Sequence, residues 1–491
     1  MKLKKILNQC KTEYKCLNLY DFKIRGICTN SEEVKENYIF GAIQGQRFNG
    51  ESFLGDFKRI SKLVVVLSIK SKLNFDLIEK NIIVIKTKNV RKFISEISYI
   101  FYPNSLKEII GVTGTNGKTS IADYTRQIWT QKKIDCCSIG TLGIIHNKKK
   151  IFDQGLTTPD PITLNKKLNF LSKKGCKKII IEASSIGLEQ NRLFPLKFKK
   201  VIFSNLSRDH IDYHKTFNNY KEAKSLLFKY HTYKNTVAII NSDSIHSKYF
   251  LEICKKKKIK ILDFGKKASF LKIILIKKFS NFYNVNFLLN RKKIEISIYS
   301  FSIYEIYNKL SALLAVFGEK IDEKKFIFLK NLYNPPGRIE KIRNKKKLNI
   351  FVDYAHTPDA LKNVLSSLKK VCKGKLITVI GCGGERDTKK RPLMTKEALK
   401  YSDKIIITDD NPRNENPKKI RKEMISKISK NQKLKISEIS NRRKAIEYSI
   451  NIMDLDDFLI IAGKGHENYQ EIRSRKFYFS DKNTVLKFIN K

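Results

Sequence analysis

"LKEIIGVTGTNGKTSIADYTRQIWTQKK", Leu106 to Lys133, reads as a buried strand, a glycine-rich turn and an amphipathic helix in immediate succession. The apolar run up to Val112 lacks polar alternation, which suits a strand covered on both faces. Gly111, Gly114 and Gly117 let backbone N–H groups approach an anion, and the N-terminus of the following helix adds positive potential at the same place. The turn is therefore read as a phosphate loop made of Gly114, Thr115, Asn116, Gly117, Lys118, Thr119 and Ser120. Lys118 would reach the outer phosphates of ATP, and Thr119 would offer its hydroxyl to Mg²⁺. The strict spacing is not met, because Val112 stands where the first glycine belongs, so the loop is a variant.

Outward from this turn, "KKIIIEASS", "KKVIFSNLS" and "NTVAIINSD" are apolar runs suited to buried parallel strands, and each runs into polar residues. Upstream, "YIFGAIQG", "LVVVLSI" and "NIIVIKT" predict a small α/β domain. Downstream, "LYNPPGRIE" carries two adjacent prolines and a glycine, which stop regular structure and mark a boundary. Strand and helix then alternate again through "LNIFVDYAH", "DALKNVLSSLKKV", "KLITVIGCGG", "DKIIITDDNPR" and "DFLIIAGKGHE". The expected fold class is α/β in three domains, 1–103, 104–333 and 334–491, the second a phosphate-loop ATPase with a mostly parallel sheet and the third Rossmann-like. Ligands in such sheets bind beyond the carboxyl ends of the strands.

At 491 residues, with 41% hydrophobic and 30% charged residues, the chain reads as folded rather than disordered. The formal charge of +52 suggests a polyanion as partner, but lysine runs such as "NKKKIF" and "CKKKKIKIL" occur in every region. Drift toward a few residue types explains that scatter better than a basic groove, and no nucleic-acid partner is expected. Nine cysteines without paired spacing read as reduced thiols. No apolar run approaches a membrane span and no signal peptide is evident, so the expectation is a cytoplasmic monomer without membrane insertion.

Glu182 ends one strand, and Asn205, Asp209, His210, Asp212 and His214 cluster after the next, a set of oxygen and imidazole ligands suited to Mg²⁺ near ATP. No Ser-His-Asp set or activated cysteine stands out. The pattern fits transfer of the γ-phosphoryl group to a substrate carboxylate, followed by attack of an amine on the acyl phosphate.

The ordered motifs "GTNGKTS", "TTPDP", "EASSIGLEQNR", "NLSRDHIDYH", "YKEAKSLLF", "NPPGRIE", "VDYAHTPDAL", "GCGGERDTKKRPLM", "DNPR" and "GKGHE" resemble the Mur ligases, ATP-dependent amide-forming enzymes of peptidoglycan synthesis. The last four resemble in particular the members that add meso-2,6-diaminopimelate to UDP-N-acetylmuramoyl-L-alanyl-D-glutamate. The resemblance spans nearly the whole chain. It implies an N-terminal domain for the UDP end, a central ATPase and a C-terminal domain for the incoming amino acid. It implies that Ser31, Thr157, Thr158, Ser184, Gln190 and Arg192 hold the UDP-muramoyl dipeptide, and that Glu182 and His210 bind Mg²⁺. Asn308, Arg338, Asp353 and His356 would contact the nucleotide. Lys224 matches a lysine that carries a carbamate (N6-carboxylysine) and helps bind a second Mg²⁺, the oxygen type of ligand that ion prefers. Lys118, Glu182, His210 and Lys224 are thus the implied catalytic set, with Thr119 among the metal ligands. Two motifs depart from the family: its Ser-Arg pair is here Ser31-Glu32, and "SIYE" replaces Gly-x-Phe-Asn before Asn308.

For diaminopimelate the implied pocket is Arg386, Asp410, Asn411, Pro412, Arg413, Gly463 and Glu467. A guanidinium grips a carboxylate through two parallel bonds, which a lysine ammonium does not, so Arg413 is expected to read the distal carboxylate and Glu467 the distal ammonium. Sister enzymes that use L-lysine or lengthen folate polyglutamate would share the loop and the chemistry. A nucleic-acid-stimulated phosphate-loop ATPase would explain the charge but leaves "TTPDP", "DYAHTPDAL" and "GKGHE" without a role.

Overall fold

Neighbouring residues of a strand point to opposite faces, so a strand that is apolar throughout needs cover on both sides. The computed structural model, which describes residues 1–45, 49–57, 60–72, 82–153, 155–279 and 282–490, shows this arrangement repeatedly. The chain divides into two compact units: Met1–Gly111, Ile134–Lys199 and Ala223–Thr236 form one, and Val112–Lys133, Lys200–Glu222 and Val237–Lys491 the other.

The first unit begins with strands β1 (Tyr14–Leu17), β2 (Gly26–Cys28), β3 (Tyr38–Gly41), β4 (Leu63–Ser68) and β5 (Ile82–Thr87), ordered β1-β5-β4-β3-β2 with β1 antiparallel to β5. Ile39, Val64, Val66, Ile83 and Ile85 face the helices Leu3–Gln9 and Val90–Phe101. Phe40, Leu63, Val65, Leu67 and Val84 turn the other way, onto Phe57. Strand β6 (Glu108–Thr113) carries the chain toward the phosphate loop. The first unit also holds β7 (Cys136–Gly140), β8 (Gly143–His146), β9 (Lys149–Phe152) and β10 (Lys178–Glu182). Strand β10 is parallel to β7, and β7, β8 and β9 form an antiparallel meander.

The second unit contains β11 (Lys200–Phe203), β12 (Val237–Asn241) and β13 (Lys260–Gly265) in parallel. Strand β14 (Leu271–Lys278) lies beside β13, and β15 (Phe282–Leu289) and β16 (Lys292–Tyr299) extend it antiparallel. A six-stranded sheet follows from β17 (Glu340–Lys341), β18 (Asn349–Asp353), β19 (Leu376–Ile380), β20 (Lys404–Ile407), β21 (Ile436–Glu438) and β22 (Phe458–Ala462), ordered β17-β18-β22-β19-β20-β21 and parallel except for β17. Phe351, Ile380, Ile405, Ile407 and Ile460 pack on one face with Leu361, Leu365, Met394 and Met424. Ile350, Val352, Ile377, Val379, Ile406 and Ile461 pack on the other with Ile446, Val485 and Ile489. The hairpin of β23 (Tyr469–Ile472) and β24 (Arg475–Tyr478) completes the unit. None of the nine cysteines takes part in a disulfide, and six are buried. Among the described residues no helix is long and apolar enough to cross a membrane.

One buried ion pair ties the last helix to the six-stranded sheet. Arg442 grips Asp481 through Nε and Nη2, both at 2.8 Å, and Nη2 also donates to the Ala462 carbonyl at 2.9 Å; neither side chain has any exposure. Removing one partner strands the other charge in the core. Arg442→Ala is expected to lower the unfolding free energy by about 3–5 kcal/mol, measured by urea denaturation. A loss no larger than that of an exposed arginine would contradict it.

Candidate functional site

The phosphate loop is built by exclusion of side chains. A Cβ on Gly114 would lie 1.9 Å from Ser204 Oγ, and one on Gly117, at φ +88°, 2.4 Å from Asn308 Oδ1. The space beside the loop is taken up by the segment after β11. Thr115 N donates to Asn205 O at 2.9 Å, Asn116 N to Asn205 Oδ1 at 2.9 Å, and Ser204 Oγ to Asn116 O at 2.7 Å. Thr115 Oγ1 meets both Ser207 N, at 3.0 Å, and the Tyr220 hydroxyl, at 3.0 Å. Lys118 starts the helix Lys118–Gln131, and its Nζ curls back to the carbonyls of Gly114 and Thr115, both at 2.9 Å. Thr119 and Ser120 are buried in the first turn of that helix. The resulting backbone fits a phosphate cradle, since nothing but glycine is tolerated at its two closest approaches.

Residues beyond 334 meet this loop. Arg338 Nη2 donates to Thr119 Oγ1 at 3.2 Å, and Asn116 Nδ2 to Asp359 Oδ2 at 3.1 Å. The Arg338 guanidinium lies 4.7 Å from the Tyr354 ring centre. Asp353, at the end of β18, accepts from Ile339 N at 2.6 Å and Ala355 N at 2.7 Å. Burial nonetheless raises its carboxyl to about 6, against Arg338 and those two N–H groups. Burial likewise opposes ionisation of Asp209, but the charges of His210, His356, Lys390 and Lys118 outweigh it and hold that carboxyl at about 2. His210, in the left-handed region at φ +52°, caps the one-turn helix Ile211–His214 and places Nε2 3.5 Å from Asp209 Oδ2. His356 Nδ1 bonds the Tyr354 carbonyl at 2.8 Å, while Lys390 donates to the His356 carbonyl at 3.0 Å.

In the first unit the residues expected around the dipeptide form one network. Glu182, 1% exposed, accepts from Thr141 N at 2.9 Å and Thr141 Oγ1 at 3.2 Å. Gly140 has no space for a Cβ because the Glu182 carboxylate fills it at 1.9 Å. Thr157 Oγ1 meets Thr141 Oγ1 at 3.1 Å, and Thr158 Oγ1 bridges the Glu182 carbonyl, at 2.7 Å, and Ser184 Oγ, at 2.9 Å. Ser184 caps the helix Ser185–Glu189. Arg192 reaches the Thr158 carbonyl at 2.8 Å and Gln190 Oε1 at 2.7 Å. Lys224, on the helix Phe217–Tyr230, is 1% exposed. Ser31 opens a 3₁₀ turn just past β2. Within the N-terminal domain implied for the UDP end, residues 46–48, 58–59 and 73–81 lie outside the described set.

The residues expected to form the amino-acid pocket follow β19, β20 and β22. Asp410 and Asn411 are buried, and Gly463 has its backbone at φ +110° with the Asp410 carboxylate 2.8 Å from its missing Cβ. Asn411 Nδ2 donates to Glu467 Oε2 at 2.9 Å, and the buried Lys464 donates to Asn411 Oδ1 at 3.0 Å and Glu467 Oε2 at 2.9 Å. Burial opposes the charge on Asp410, yet Lys464, Arg442, the Asn411 N–H and Arg413 lower its pKa. Arg413 follows Pro412 at φ +52°; its Nη1 donates to Gly384 O at 2.7 Å and its Nε lies 3.2 Å from Glu471 Oε2. Arg386 is exposed on the neighbouring loop. Sequence reasoning did not single out Thr141, Lys390, Lys464 or Glu471. Lys390 and Lys464 lie inside motifs quoted for other residues, and in a lysine-rich chain only their contacts, to the His356 carbonyl and to Asn411 and Glu467, distinguish them.

A phosphate loop that follows β6 and tolerates only glycine at two positions, with a second α/β sheet supplying Arg338 and Asp359 to it, defines a phosphate-loop α/β enzyme. A family model described as the Mur ligase middle domain matches residues 112–316, and one described as the Mur ligase glutamate ligase domain matches residues 337–465. The chain is 37% identical over 469 residues to the UDP-N-acetylmuramoyl-L-alanyl-D-glutamate–2,6-diaminopimelate ligase of Aquifex aeolicus (strain VF5), covering 95% of this chain and 94% of that protein. It is 40% identical over 478 residues to the ligase of the same name from Rickettsia montanensis, covering 95% and 96%. A solved structure of a ligase with that name superposes with a TM-score of 0.62 at 30% identity, covering 95% of each chain. The MurF ligase of Thermotoga maritima, solved with ADP, shares the fold with a TM-score of 0.62 at 17% identity, covering 95% of this chain and 97% of that one. The chain belongs to the Mur ligase family, and it is an ATP-dependent ligase.

His356 gives the site a pH signature. Burial, with Lys390 nearby, lowers its imidazole from 6.5 to about 4, so the folded state binds fewer protons than the unfolded state between those values. Its contribution is present above pH 6.5 and is lost as pH falls toward 4. Relative to His356→Gln, the wild type is expected to lose on the order of 3 kcal/mol across that window, followed by denaturant unfolding at several pH values. A difference independent of pH would refute the assignment.

Proposed function

We propose that this enzyme joins meso-2,6-diaminopimelate to UDP-N-acetylmuramoyl-L-alanyl-D-glutamate with consumption of ATP, a step of peptidoglycan synthesis. The observation that carries the reading is near-full-length similarity, at 37–40% identity, to relatives bearing that name. Division of the chain into 1–103, 104–333 and 334–491 belongs to this reading, with the UDP end, ATP and the incoming amino acid served in that order.

The loop residues 114–120 hold the ATP phosphates, with Asn308, Arg338, Asp353 and His356 toward the nucleotide. Thr157, Thr158, Ser184, Gln190 and Arg192 fix the dipeptide, and Ser31 lies toward uridine. Of the residues expected to meet Mg²⁺, the Thr119 hydroxyl, the buried Glu182 carboxylate and Lys224 as its carbamate each offer the oxygen that ion prefers, and His210 offers an imidazole. When bound, Mg²⁺ supplies charge neutralisation for the phosphoryl group in transit. Lys118 aims its ammonium over the loop carbonyls, where a phosphate's negative charge is met. Burial of Lys224 supports carbamylation, since a carbamate converts an ammonium that is expensive to bury into an oxygen ligand. Asn411 and Lys464 orient Glu467 for the distal ammonium, and Arg413, which bonds the Gly384 carbonyl through Nη1 and meets Glu471 through Nε, presents Nη2 to the distal carboxylate.

Phosphate release with the UDP-muramoyl dipeptide is expected to be faster with meso-diaminopimelate than with L-lysine. Equal rates, or a preference for lysine, would overturn the substrate. Arg413→Lys should raise the KM for diaminopimelate by at least about tenfold, the loss of one charge-assisted bond, and leave that for ATP nearly unchanged. Lys224→Ala should fold, bind ATP and lose ligation; near-normal turnover by the folded variant would remove Lys224 from the catalytic set.

A further inference from the structure

Asp135, His146 and Cys176 bring three ligating atoms of different chemistry to one place, all within 4.8 Å of one another. Asp135 immediately precedes β7, His146 ends β8, and Cys176 lies two residues before β10. They sit at the amino-terminal edge of the parallel pair β7/β10, at the far end of β10 from Glu182. Strand register holds them: Cys136 is paired with Lys178, Cys137 with His146, and Lys177 N donates to Asp135 O at 3.1 Å. Asn147 closes the hairpin through Cys136 N, at 3.1 Å to its Oδ1.

The geometry points to a Zn²⁺ site formed by Asp135, His146 and Cys176, with water as fourth ligand. One thiolate, one imidazole and one carboxylate suit this borderline ion, whereas Mg²⁺ and Ca²⁺ take oxygen ligands. Tetrahedral zinc places its ligand atoms about 3.4 Å apart. His146 Nε2 now bonds Asp135 Oδ1 at 2.5 Å, so the carboxylate must swing outward by about 1 Å. It has room, being 36% exposed, with His146 at 23%, while Cys176 is buried beneath them. A Cys-His-Asp trio also suggests a nucleophile, but burial and the Asp135 charge push the Cys176 thiol up to about 12, far from a reactive thiolate. A divalent cation takes the place of the thiol proton, which leaves to solvent. The ion would then pin the amino ends of β7 and β10 and the end of β8, independently of the ligase chemistry.

The test uses the untagged, full-length chain, stripped with a chelator and titrated with Co²⁺ and then Zn²⁺. The expected result is a thiolate-to-cobalt absorption band saturating at one equivalent and bleached by Zn²⁺, with a rise in melting temperature on Zn²⁺ addition. Cys176→Ser should abolish the band. His146→Gln and Asp135→Asn, on the exposed side, should each weaken Zn²⁺ binding at least about tenfold, with ligation in Mg²⁺ unchanged. Absence of the band in folded wild type, its persistence in Cys176→Ser, or undiminished Zn²⁺ affinity in both exposed-side variants would each overturn the site.

Discussion

The absence of a side chain at Gly114 sets the terms for the rest of the site. Ser204 Oγ occupies the volume its Cβ would need, and from that approach the segment after β11 threads its hydrogen bonds through the loop. The same segment continues to Asp209 and His210, so the position of the phosphate cradle and that of a candidate metal ligand are fixed by one contact surface. Gly117 repeats the device against Asn308, and Gly140 against the Glu182 carboxylate. At three places, polar groups occupy the space that a glycine leaves. The arrangement is preorganised because it rests on strands and helix ends rather than on loops alone.

Charge in this protein divides by burial rather than by sign. Most lysines are solvated and contribute little individually. Lys224, Lys309 and Lys464 are at most 1% exposed. Lys309 donates to the Tyr299 carbonyl at 2.6 Å, and burial lowers its pKa despite Glu305. Lys464 is matched by Glu467. A buried ammonium is costly unless it is paired or discharged, and so these three positions carry information that the other lysines do not.

Much of this was legible in the sequence. The runs ending at Glu182, Phe203, Asn241, Asp353, Ile380, Ile407 and Ala462 are strands because residues apolar on both faces have no other low-energy home. The loop and the polar residues after each strand followed from the same pattern. The antiparallel extension β14 to β16 did not. Buried positions alternate with half-buried ones in Phe282–Leu289, and exposed lysines in the neighbouring strands blur the period of two. Its turn at Asn290 and Arg291, both at positive φ, lacks the glycine that usually marks such hairpins. Burial of Lys224 was equally hidden, since a lysine on an amphipathic helix carries no local sign of what packs over it.

Arginine is sparse in this chain, and its placement refines what Arg413 means. Arg442 grips Asp481, Arg391 takes both oxygens of Glu415 at 3.0 and 2.9 Å and Glu423 at 2.7 Å, Arg421 pairs with Asp409 and Glu438, and Arg126 pairs with Asp123. Each meets a carboxylate at a buried or half-buried position where planar, multi-pronged bonding matters and a lysine would leave N–H directions unmatched. An arginine in place of lysine is therefore not by itself a mark of substrate recognition here. What separates Arg413 is its setting. Arg391 and Arg442 are wholly enclosed and spend their donors on protein carboxylates, whereas Arg413 keeps 18% of its side chain exposed. Its backbone, at φ +52°, is stitched to the β23 hairpin by Arg413 N to Glu471 O at 3.0 Å and Arg473 N to Arg413 O at 2.8 Å. A left-handed backbone at a non-glycine residue costs energy, and here it turns a braced guanidinium toward the carboxyl edge of the sheet. The same bidentate chemistry that locks the interior is left partly open at Arg413, and this is the physical ground for proposing that a substrate carboxylate completes it.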